Sequence, residues 1–580
     1  VLASHLFTVV LEDYFHVGAF RGLVDRRHWY RFESRIERSA EVALSLLRGS
    51  NSKATFFVLG WVADQMPELV RRIADEGHEV ADRGYFHLPA ATLEDAEFVD
   101  DVRRGREAVA RASGRNVFGH RCCDWLQGDV GRKLDLLIDE GYRYDSSVRV
   151  VGRATAHRRR LAAPHVHTST RGQLDELPVS CVTIGPLLLP AAGGAWLRHL
   201  PARAVADAES QASVMRRPFI SCVHSWELDP EQPRLAAPWL TRLRHYRNLD
   251  RMTGLLQQLL ERAPATPMAS WLSLHSEHGA AVDGNRSSSR AARAGPTPAA
   301  SVALVSATDA PSTSLSIVIP CYNEAPVLGY LERTLANLSA KLGPRYAVEY
   351  VFVDDGSSDA TWTELQTRFG ARRDCVLVAH GRNRGISAAI RTGVSAASSP
   401  VVASIDADCS YDPLILEQMV PLLGDGVSLV TASPYHPDGR VANVPRWRLL
   451  LSRGLSMLYR RVLHNRVYTI TSCCRVYRRD VVLSVPTQYA DYRGIAEWLV
   501  RIDLAGGAVV ECPATLEARL LGASKMKIAR SIGGHLRLLA KVAWRRLRGI
   551  KDILGGSPES TPLTVERSAT RAAAHAAVVP

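Results

Sequence analysis

The chain has 580 residues, 46% of them hydrophobic, and a formal net charge of +13, with arginine far outnumbering lysine. A length of this order exceeds what one hydrophobic core supports, so a single-domain protein is excluded and two or more domains are expected. No apolar run reaches the roughly 18 residues that span a bilayer, and the positive charge leaves nucleic acid, an anionic membrane surface and phosphorylated substrates open as partners.

The first informative segment is "FTVVLEDYFH" (7–16), an apolar run ending on Glu12 and Asp13. Active-site strands of hydrolases often end this way. No basic leader precedes it, so no signal peptide is expected and location defaults to the cytoplasm. His78 in "EGHEV" reads as a core or helix-terminal histidine rather than a metal ligand. Ten cysteines occur, among them the adjacent pairs Cys122-Cys123 and Cys473-Cys474. Neighbours rarely bridge and no CxxC repeat suggests zinc, so reduced thiols are expected. The stretch 274–313 is rich in Ala, Ser, Gly and Pro with almost no aromatics. It reads as a disordered linker, because it cannot bury enough surface to offset its ordering entropy.

Beyond the linker, "LSIVIP" (315–320), "VEYVFVDD" (348–355), "CVLVAH" (375–380) and "VVASIDAD" (401–408) are apolar runs, each followed by a polar turn and a helix-like segment. Such alternation predicts a mostly parallel sheet covered on both faces, with ligands beyond the carboxyl ends of its strands. Three of the runs end in polar clusters: "PCYNE" (320–324), "DDGSSD" (354–359) and "DADCSYD" (406–412). Asp406 and Asp408 repel each other unless a cation or hydrogen bonds balance them. Mg²⁺ or Mn²⁺ shared with a diphosphate does this with hard oxygen ligands; a turn or capping motif is the plainer alternative. Further on, "SKMKIARSIGGHLRLLAKVAWRRLRGIKDIL" (524–554) repeats apolar residues at helical spacing among arginines and lysines. It suits a helix on an anionic membrane face or one packed on its own domain. It lacks the interleaved aromatics that stack nucleic-acid bases, so no nucleic acid is expected.

The ordered motifs "SIVIPCYNE", "VFVDDGSSDAT", "GRNRGISAAIRTG", "IDADCSYDP" and "GIAEW...GASKMK" resemble the family 2 glycosyltransferases, in the branch with dolichyl-phosphate mannosyltransferase. The resemblance covers about 314–530 and implies an α/β GT-A nucleotide-sugar-binding fold. It implies that Pro320, Tyr322, Glu324, Asp354 and Asp355 hold the base and ribose, that Asn383, Arg384 and Gly385 open a helix near the nucleotide, and that Asp406 and Asp408 hold the metal and diphosphate. "TSCCRVYRRD" (471–480) falls where the family lines its acceptor site, and Glu497 where it carries an acidic residue. Arg475, Arg519 and Lys525 are candidates for an anionic acceptor, since a guanidinium fork suits phosphate.

The segments "LEDYFHV", "KATFFVLGWVADQMPELVRRIADEGHEVA", "GYRYDSS", "LPAAGGAWLRHLP" and "HSWELDPEQPRL" resemble nodulation-type polysaccharide deacetylases across 1–273. The resemblance implies a distorted (β/α) barrel with its site at the strand carboxyl ends. That chemistry uses metal-bound water, an Asp-His-His metal set, a carboxylate base and a histidine acid. Asp13 and His87 match the metal positions, and His224 the acid. Arg83 stands in place of the second histidine, Val10 in place of the base, and Arg121-Cys122-Cys123 in place of Arg-Ala-Pro. A guanidinium offers no lone pair to a metal. Glu12, one residue from Asp13, points to the opposite face of a strand. A domain that keeps its fold without the deacetylase reaction is expected.

The layout expected is therefore 1–273 deacetylase-like, 274–313 linker, 314–535 transferase, and 536–580 basic helix and disordered tail. The function expected is metal-dependent transfer of a sugar from a nucleoside-diphosphate sugar to a polyprenyl-phosphate or glycan acceptor in cell-surface polysaccharide synthesis, in the cytoplasm or peripherally on the inner face of the plasma membrane. A bifunctional enzyme that also N-deacetylates polysaccharide, and a non-catalytic carbohydrate-binding scaffold, are the alternatives.

Overall fold

The computed structural model describes residues 4–124, 126, 130–275, 313–444, 446–521 and 528–547. The expected linker, Lys525 and the expected tail therefore lie almost wholly outside the described residues. The chain divides into two compact units, one drawn from residues 1–299 and one built on residues 300–580.

In the first unit, β1 (His5–Leu11), β2 (Thr55–Val58), β3 (Glu79–Asp82), β4 (Gly119–His120) and β5 (Tyr144–Asp145) lie side by side and parallel. Helices Ile36–Gly49, Pro67–Asp75, Asp95–Ser113 and Val130–Asp139 occupy the crossovers. All seven residues of β1 and all four of β2 are buried, as expected for strands covered on both faces. After β6 (Gly152–Arg153), the hairpin β7 (His165–Ser169) and β8 (Gly172–Glu176) continues the sheet, with β8 parallel to β5. The hairpin β9 (Cys181–Ile184) and β10 (Leu187–Pro190) pairs with β6 in a small separate sheet, and β11 (Phe219–His224) runs parallel to β1.

The sheet order is β11-β1-β2-β3-β4-β5-β8-β7. The gap between β8 and β11 is crossed by irregular backbone: Leu177 N–H donates to Asp145 O (2.9 Å), Ser180 N–H to Ile220 O (2.9 Å), and Cys222 N–H to Ala192 O (2.8 Å). The result is a distorted (β/α) barrel. Its strand carboxyl ends gather Glu12, Arg83, Arg121 and His224.

The second unit holds β12 (Thr313–Cys321), β13 (Tyr346–Asp354), β14 (Cys375–Ala379), β15 (Val401–Ser404), β16 (Val427–Ser433), β17 (Arg440–Ala442), β18 (Arg475–Arg478), β19 (Ala508–Pro513) and β20 (Thr515–Glu517). Its main sheet has the order β14-β13-β12-β15-β18-β16-β19. The first four are parallel, and β18 runs antiparallel to both β15 and β16. The chain winds outward from β12 to β14 and then returns to β15 on the other side. This reversal opens a crevice at the carboxyl ends of β12 and β15, the topological switch point where α/β sheets bind ligands.

The apolar run 401–408 does not stay a strand to its end. β15 stops at Ser404, Ile405 N–H donates to Val318 O (3.1 Å), and the chain then turns, with Cys409 at φ 54° donating its N–H to Asp406 O (3.1 Å). Asp406 and Asp408 thus lie on a turn beyond the sheet. None of the ten cysteines is joined in a disulfide.

Candidate functional site

In the crevice of the second unit the clusters after β12 and β13 are tied together by hydrogen bonds between backbone and side chains. Asn323, at φ 53°, donates its N–H to Ser357 Oγ (2.8 Å), while its Oδ1 accepts from Ser358 N–H (2.7 Å). Asparagine tolerates this left-handed conformation better than most residues. Thr361 Oγ1 accepts from the N–H groups of Glu324 (2.7 Å) and Ala325 (2.9 Å). Gly356, at φ 69°, lies against the next loop, and a Cβ there would sit 2.3 Å from Arg382 C. Any side chain at 356 would push the 381–385 loop away.

Asp355 is fully committed to that loop. Its carboxylate accepts from Arg384 N–H (2.9 Å) and Gly385 N–H (2.8 Å), and meets His380 Nδ1 at 2.7 Å. It shapes the wall of the crevice; the sequence reading had given it to the base and ribose. Asp354 is partly desolvated, which raises its pKa, against the hydrogen bonds it accepts from Ser357. Tyr322 is half-buried and Asn383 exposed, while Pro320 lies past the last rung of the β12–β15 ladder.

Arg519 spans two of the acidic groups: its Nε donates to Asp408 Oδ2 (2.7 Å) and its Nη2 to Glu324 Oε1 (2.5 Å). Glu517 N–H donates to Ser410 O (2.9 Å), which brings β20 and hence Arg519 alongside the Asp406–Asp408 turn. Ser410 donates through N–H (3.0 Å) and Oγ (2.8 Å) to Asp408 Oδ1. Asp406 keeps no such cation to itself. Burial first, and then the charge of Asp408, raise its pKa above the carboxylate range. Among the described residues no group of three or more His, Cys, Asp or Glu side chains forms a metal site. The fit of a divalent cation rests on two hard carboxylates crowded on one turn, whose mutual repulsion a cation would relieve, the partial set that a diphosphate completes.

Two candidates stand outside this cluster. Arg475 is 1% exposed, and its guanidinium donates to Ile495 O and Ile470 O (both 2.6 Å). Burial lowers its pKa to about 10. It braces backbone and does not offer its fork to an acceptor. Glu497 is also fully buried; it accepts from Gln488 N–H (2.9 Å), Tyr489 N–H (3.1 Å) and Arg501 Nε (3.0 Å). The loop it holds continues to Ala490, whose carbonyl accepts from Ser387 N–H (2.8 Å) at the start of helix Ile386–Ala396. Glu497 therefore positions the loop behind Gly385. Asn323, Thr361, His380 and Ser410 were missed in the sequence; the signal available was the density of small hydroxyl and amide residues after each strand.

At the strand ends of the first unit the roles of two neighbouring carboxylates are exchanged. Asp13 accepts from Ser34 Oγ (2.6 Å), Arg35 N–H (3.0 Å) and Tyr14 N–H (3.2 Å), so it secures the approach to helix Ile36–Gly49. Burial pushes its pKa up to about 7. Glu12 is the group that meets the histidines: Oε1 lies 2.7 Å from His224 Nδ1 and Oε2 lies 3.1 Å from His87 Nε2. Both residues lie past the end of β1 at Leu11, and Glu12, not Asp13, is the one turned to the histidines.

Arg83 supplies the charge there. Its Nε donates to Glu12 Oε2 (3.3 Å), and its two terminal nitrogens donate to the carbonyls of Cys122 and Cys123 (3.1 Å each). Burial alone would raise the Glu12 pKa, yet Arg83, His224 and His87 bring it well below the usual range. Both cysteine thiols are pushed well above theirs by burial. The pair contributes its two carbonyls to Arg83. Arg121 is buried on Thr8 Oγ1 (2.9 Å), Ser146 Oγ (2.7 Å) and the face of Phe57. His78 is a core histidine, accepting Ala54 N–H at Nδ1 (3.2 Å). The catalytic metal of deacetylases does not fit this set, because a guanidinium already neutralises Glu12 and one imidazole is missing.

Comparison with known proteins adds three family matches: a glycosyl transferase family 2 model over residues 316–485, a polysaccharide deacetylase model over 26–123, and a domain of unknown function (DUF3473) over 146–273. The chain is 31% identical over 257 residues to polyprenol monophosphomannose synthase of Mycolicibacterium smegmatis, covering 42% of this chain and 92% of that protein. It is 30% identical over 225 residues to dolichol-phosphate mannosyltransferase of Pyrococcus furiosus, covering 38% of this chain and 62% of that protein. Among solved structures, glucosyl-3-phosphoglycerate synthase of Mycobacterium tuberculosis with Mn²⁺, uridine diphosphate and phosphoglyceric acid matches at 22% identity. That match covers 42% of this chain and 81% of that one, with a TM-score of 0.31.

Proposed function

The chain belongs to glycosyl transferase family 2, and from that premise we propose that its second unit moves a sugar from a nucleoside-diphosphate sugar to a polyprenyl-phosphate acceptor, in the synthesis of cell-surface polysaccharide. The observation that carries this reading is the crevice at the β12–β15 switch point, where Glu324, Asp406, Asp408 and Arg519 converge.

Asp406 and Asp408 would hold Mg²⁺ or Mn²⁺, which supplies Lewis-acid stabilisation of the departing diphosphate. The chain's own residues do the rest. The wall built by Asp355, Gly385 and Gly356 receives the nucleotide, with Tyr322 and Asp354 at its edge. Arg519, already between Asp408 and Glu324, is a second positive charge within reach of an anionic group in the crevice. The phosphate of the acceptor is ionised at neutral pH and needs no base, which agrees with Glu497 being committed to backbone.

An anionic membrane surface is the natural place for such an acceptor. Helix Arg446–Val462 leaves Trp447, Leu450 and Met457 exposed among arginines, and helix Ile528–Leu547 leaves Leu536 and Trp544 exposed. Tyr459 OH donates to His535 O (3.2 Å), so the two helices pack together. Amphipathic, arginine-rich helices of this kind lie in a lipid interface. No helix among the described residues is long and apolar enough to cross a membrane. The inner face of the plasma membrane is the location proposed, and the first unit is proposed to keep the deacetylase fold without its reaction.

The test is a panel of nucleotide sugars incubated with polyprenyl phosphate in vesicles, with and without Mn²⁺, and read as lipid-linked sugar. Metal-dependent product with at least one donor is expected. No lipid-linked product from any donor would overturn the assignment.

A further inference from the structure

A cavity of about 350 Å³ lies in the first unit, away from the strand carboxyl ends, between helix Ala156–Leu161, the β9–β10 hairpin and helix Ala202–Val214. Its volume falls in the range of small-molecule sites, roughly 300–1,000 Å³. The walls mix apolar residues such as Pro164, Leu188 and Ala212 with the polar Ser180 and Thr183, and Arg159, Arg160 and Arg217 stand at it with exposed side chains. No aspartate or glutamate lines it.

That imbalance distinguishes it from an ordinary arginine-rich surface. Exposed arginines of this chain commonly sit on a neighbouring carboxylate, as Arg103 does on Glu140 (2.7 Å) and Arg111 on Asp64 (2.9 Å). At the cavity, Arg159 donates its Nε to a backbone carbonyl, Ala154 O (3.2 Å), a contact that leaves the positive charge uncompensated. Gln211 is fixed at the wall, its Oε1 accepting from Thr183 N–H (3.1 Å) and its Nε2 facing Thr183 O (3.5 Å), so one side of the cavity is pre-formed. Guanidinium forks match the oxygens of a phosphate. The apolar part of the wall, with Pro164, Leu188 and Ala212, favours an occupant that carries a compact body beside its phosphate over a bare inorganic ion.

We propose that this cavity binds a phosphomonoester whose phosphate meets Arg159, Arg160 and Arg217 and whose sugar-sized or apolar body fills the pocket. The shared chemistry has two sources, a soluble sugar phosphate or the head and first isoprene units of a lipid phosphate. The site belongs to the first unit and does not depend on the function proposed for the second.

The experiment is arginine footprinting of the full chain with phenylglyoxal, read by peptide mass spectrometry. The probes are glucose 1-phosphate, farnesyl phosphate and inorganic phosphate, each added separately. Several-fold protection of Arg159, Arg160 and Arg217, with Arg103 modified at its unprotected rate, is expected from at least one of the two organic phosphates. Protection by glucose 1-phosphate alone assigns a soluble ligand, and protection by farnesyl phosphate alone assigns a lipid. Equal protection by inorganic phosphate, or none by any probe, overturns the proposal. Calorimetry on an Arg159→Gln/Arg217→Gln double variant, with both changes at exposed side chains, should show the loss of one binding event relative to the unsubstituted chain. Retention of every event would place the phosphate elsewhere.

Discussion

Both units collect carboxylates at strand carboxyl ends and both bring an arginine to them, yet the outcomes differ. In the first unit Arg83 is 4% exposed and all three of its nitrogens are spent on Glu12 and two carbonyls. With His87 and His224 also on Glu12, the charge is closed within the protein. In the second unit Arg519 keeps 18% exposure and pairs with Asp408 and Glu324, whereas Asp406 has no cation of its own, and burial and the charge of Asp408 push its pKa up to about 7. The lesson is that an arginine can replace a cation or leave room for one, depending on whether every carboxylate at the site has been neutralised.

The strongest way to break this comparison is Asp408→Ala. Removing the carboxylate that Arg519 grips should lower sugar-transfer turnover by about a thousandfold, near 4 kcal/mol, as for loss of a charge-stabilising group at a reacting centre. Initial rates of lipid-linked sugar formation measure it, and turnover within tenfold of the unsubstituted enzyme would remove Asp408 from the chemistry.

Next in size is Arg83→Ala. Leaving Glu12 buried with only imidazoles should destabilise the first unit by about 3 kcal/mol, the order for breaking a buried pair, and leave turnover in the second unit unchanged. Urea unfolding of the full chain supplies the first number and the transferase assay the second. An unchanged unfolding midpoint would mean that the charge is balanced some other way.

The comparison extends to the first strands. β1 carries His5 into the core on Ala263 O (2.8 Å) and Ser221 Oγ (2.7 Å), and burial lowers its pKa from 6.5 to about 4; the equivalent β12 carries no histidine. Between these values the unfolded imidazole takes a proton that the native one refuses. Stability owed to His5 is therefore complete above pH 6.5 and falls as pH drops toward 4. His5→Gln should flatten the acid limb of the first unit's unfolding by about 2 kcal/mol between pH 6.5 and about pH 5. Parallel stability–pH curves for the two proteins would contradict the assignment.

The smallest effect expected is that of Asp355→Asn. One carboxylate oxygen becomes an NH₂ that cannot accept from Arg384 or Gly385, which should raise the donor KM about tenfold, near 1.4 kcal/mol, with kcat nearly unchanged. A fall in kcat at constant KM would instead place Asp355 in the reaction itself.

Much of the second unit was legible because its signal is local. Strands β12 to β15 show as continuous apolar runs, and the clusters after them follow in order. Strands β16, β18 and β19 were not read; β18, "RVYR", is a short charged strand in the middle of the sheet with no periodicity to mark it. Glu497 and Arg475 were recognisable as unusual, but their burial on backbone was not.

The chain's linear order fixed the two units, the strand-end location of both sites and the missing imidazole at position 83. Which carboxylate serves which site was settled only by folding: Arg83 reaches Glu12 across 71 positions, and Arg519 reaches Asp408 and Glu324 across 111 and 195. No local pattern encodes ion pairs of that span. They depend on where strand ends come together in space, and that decided why Glu12 and not Asp13 meets the histidines, and why Arg519 pairs with Asp408 and not with Asp406.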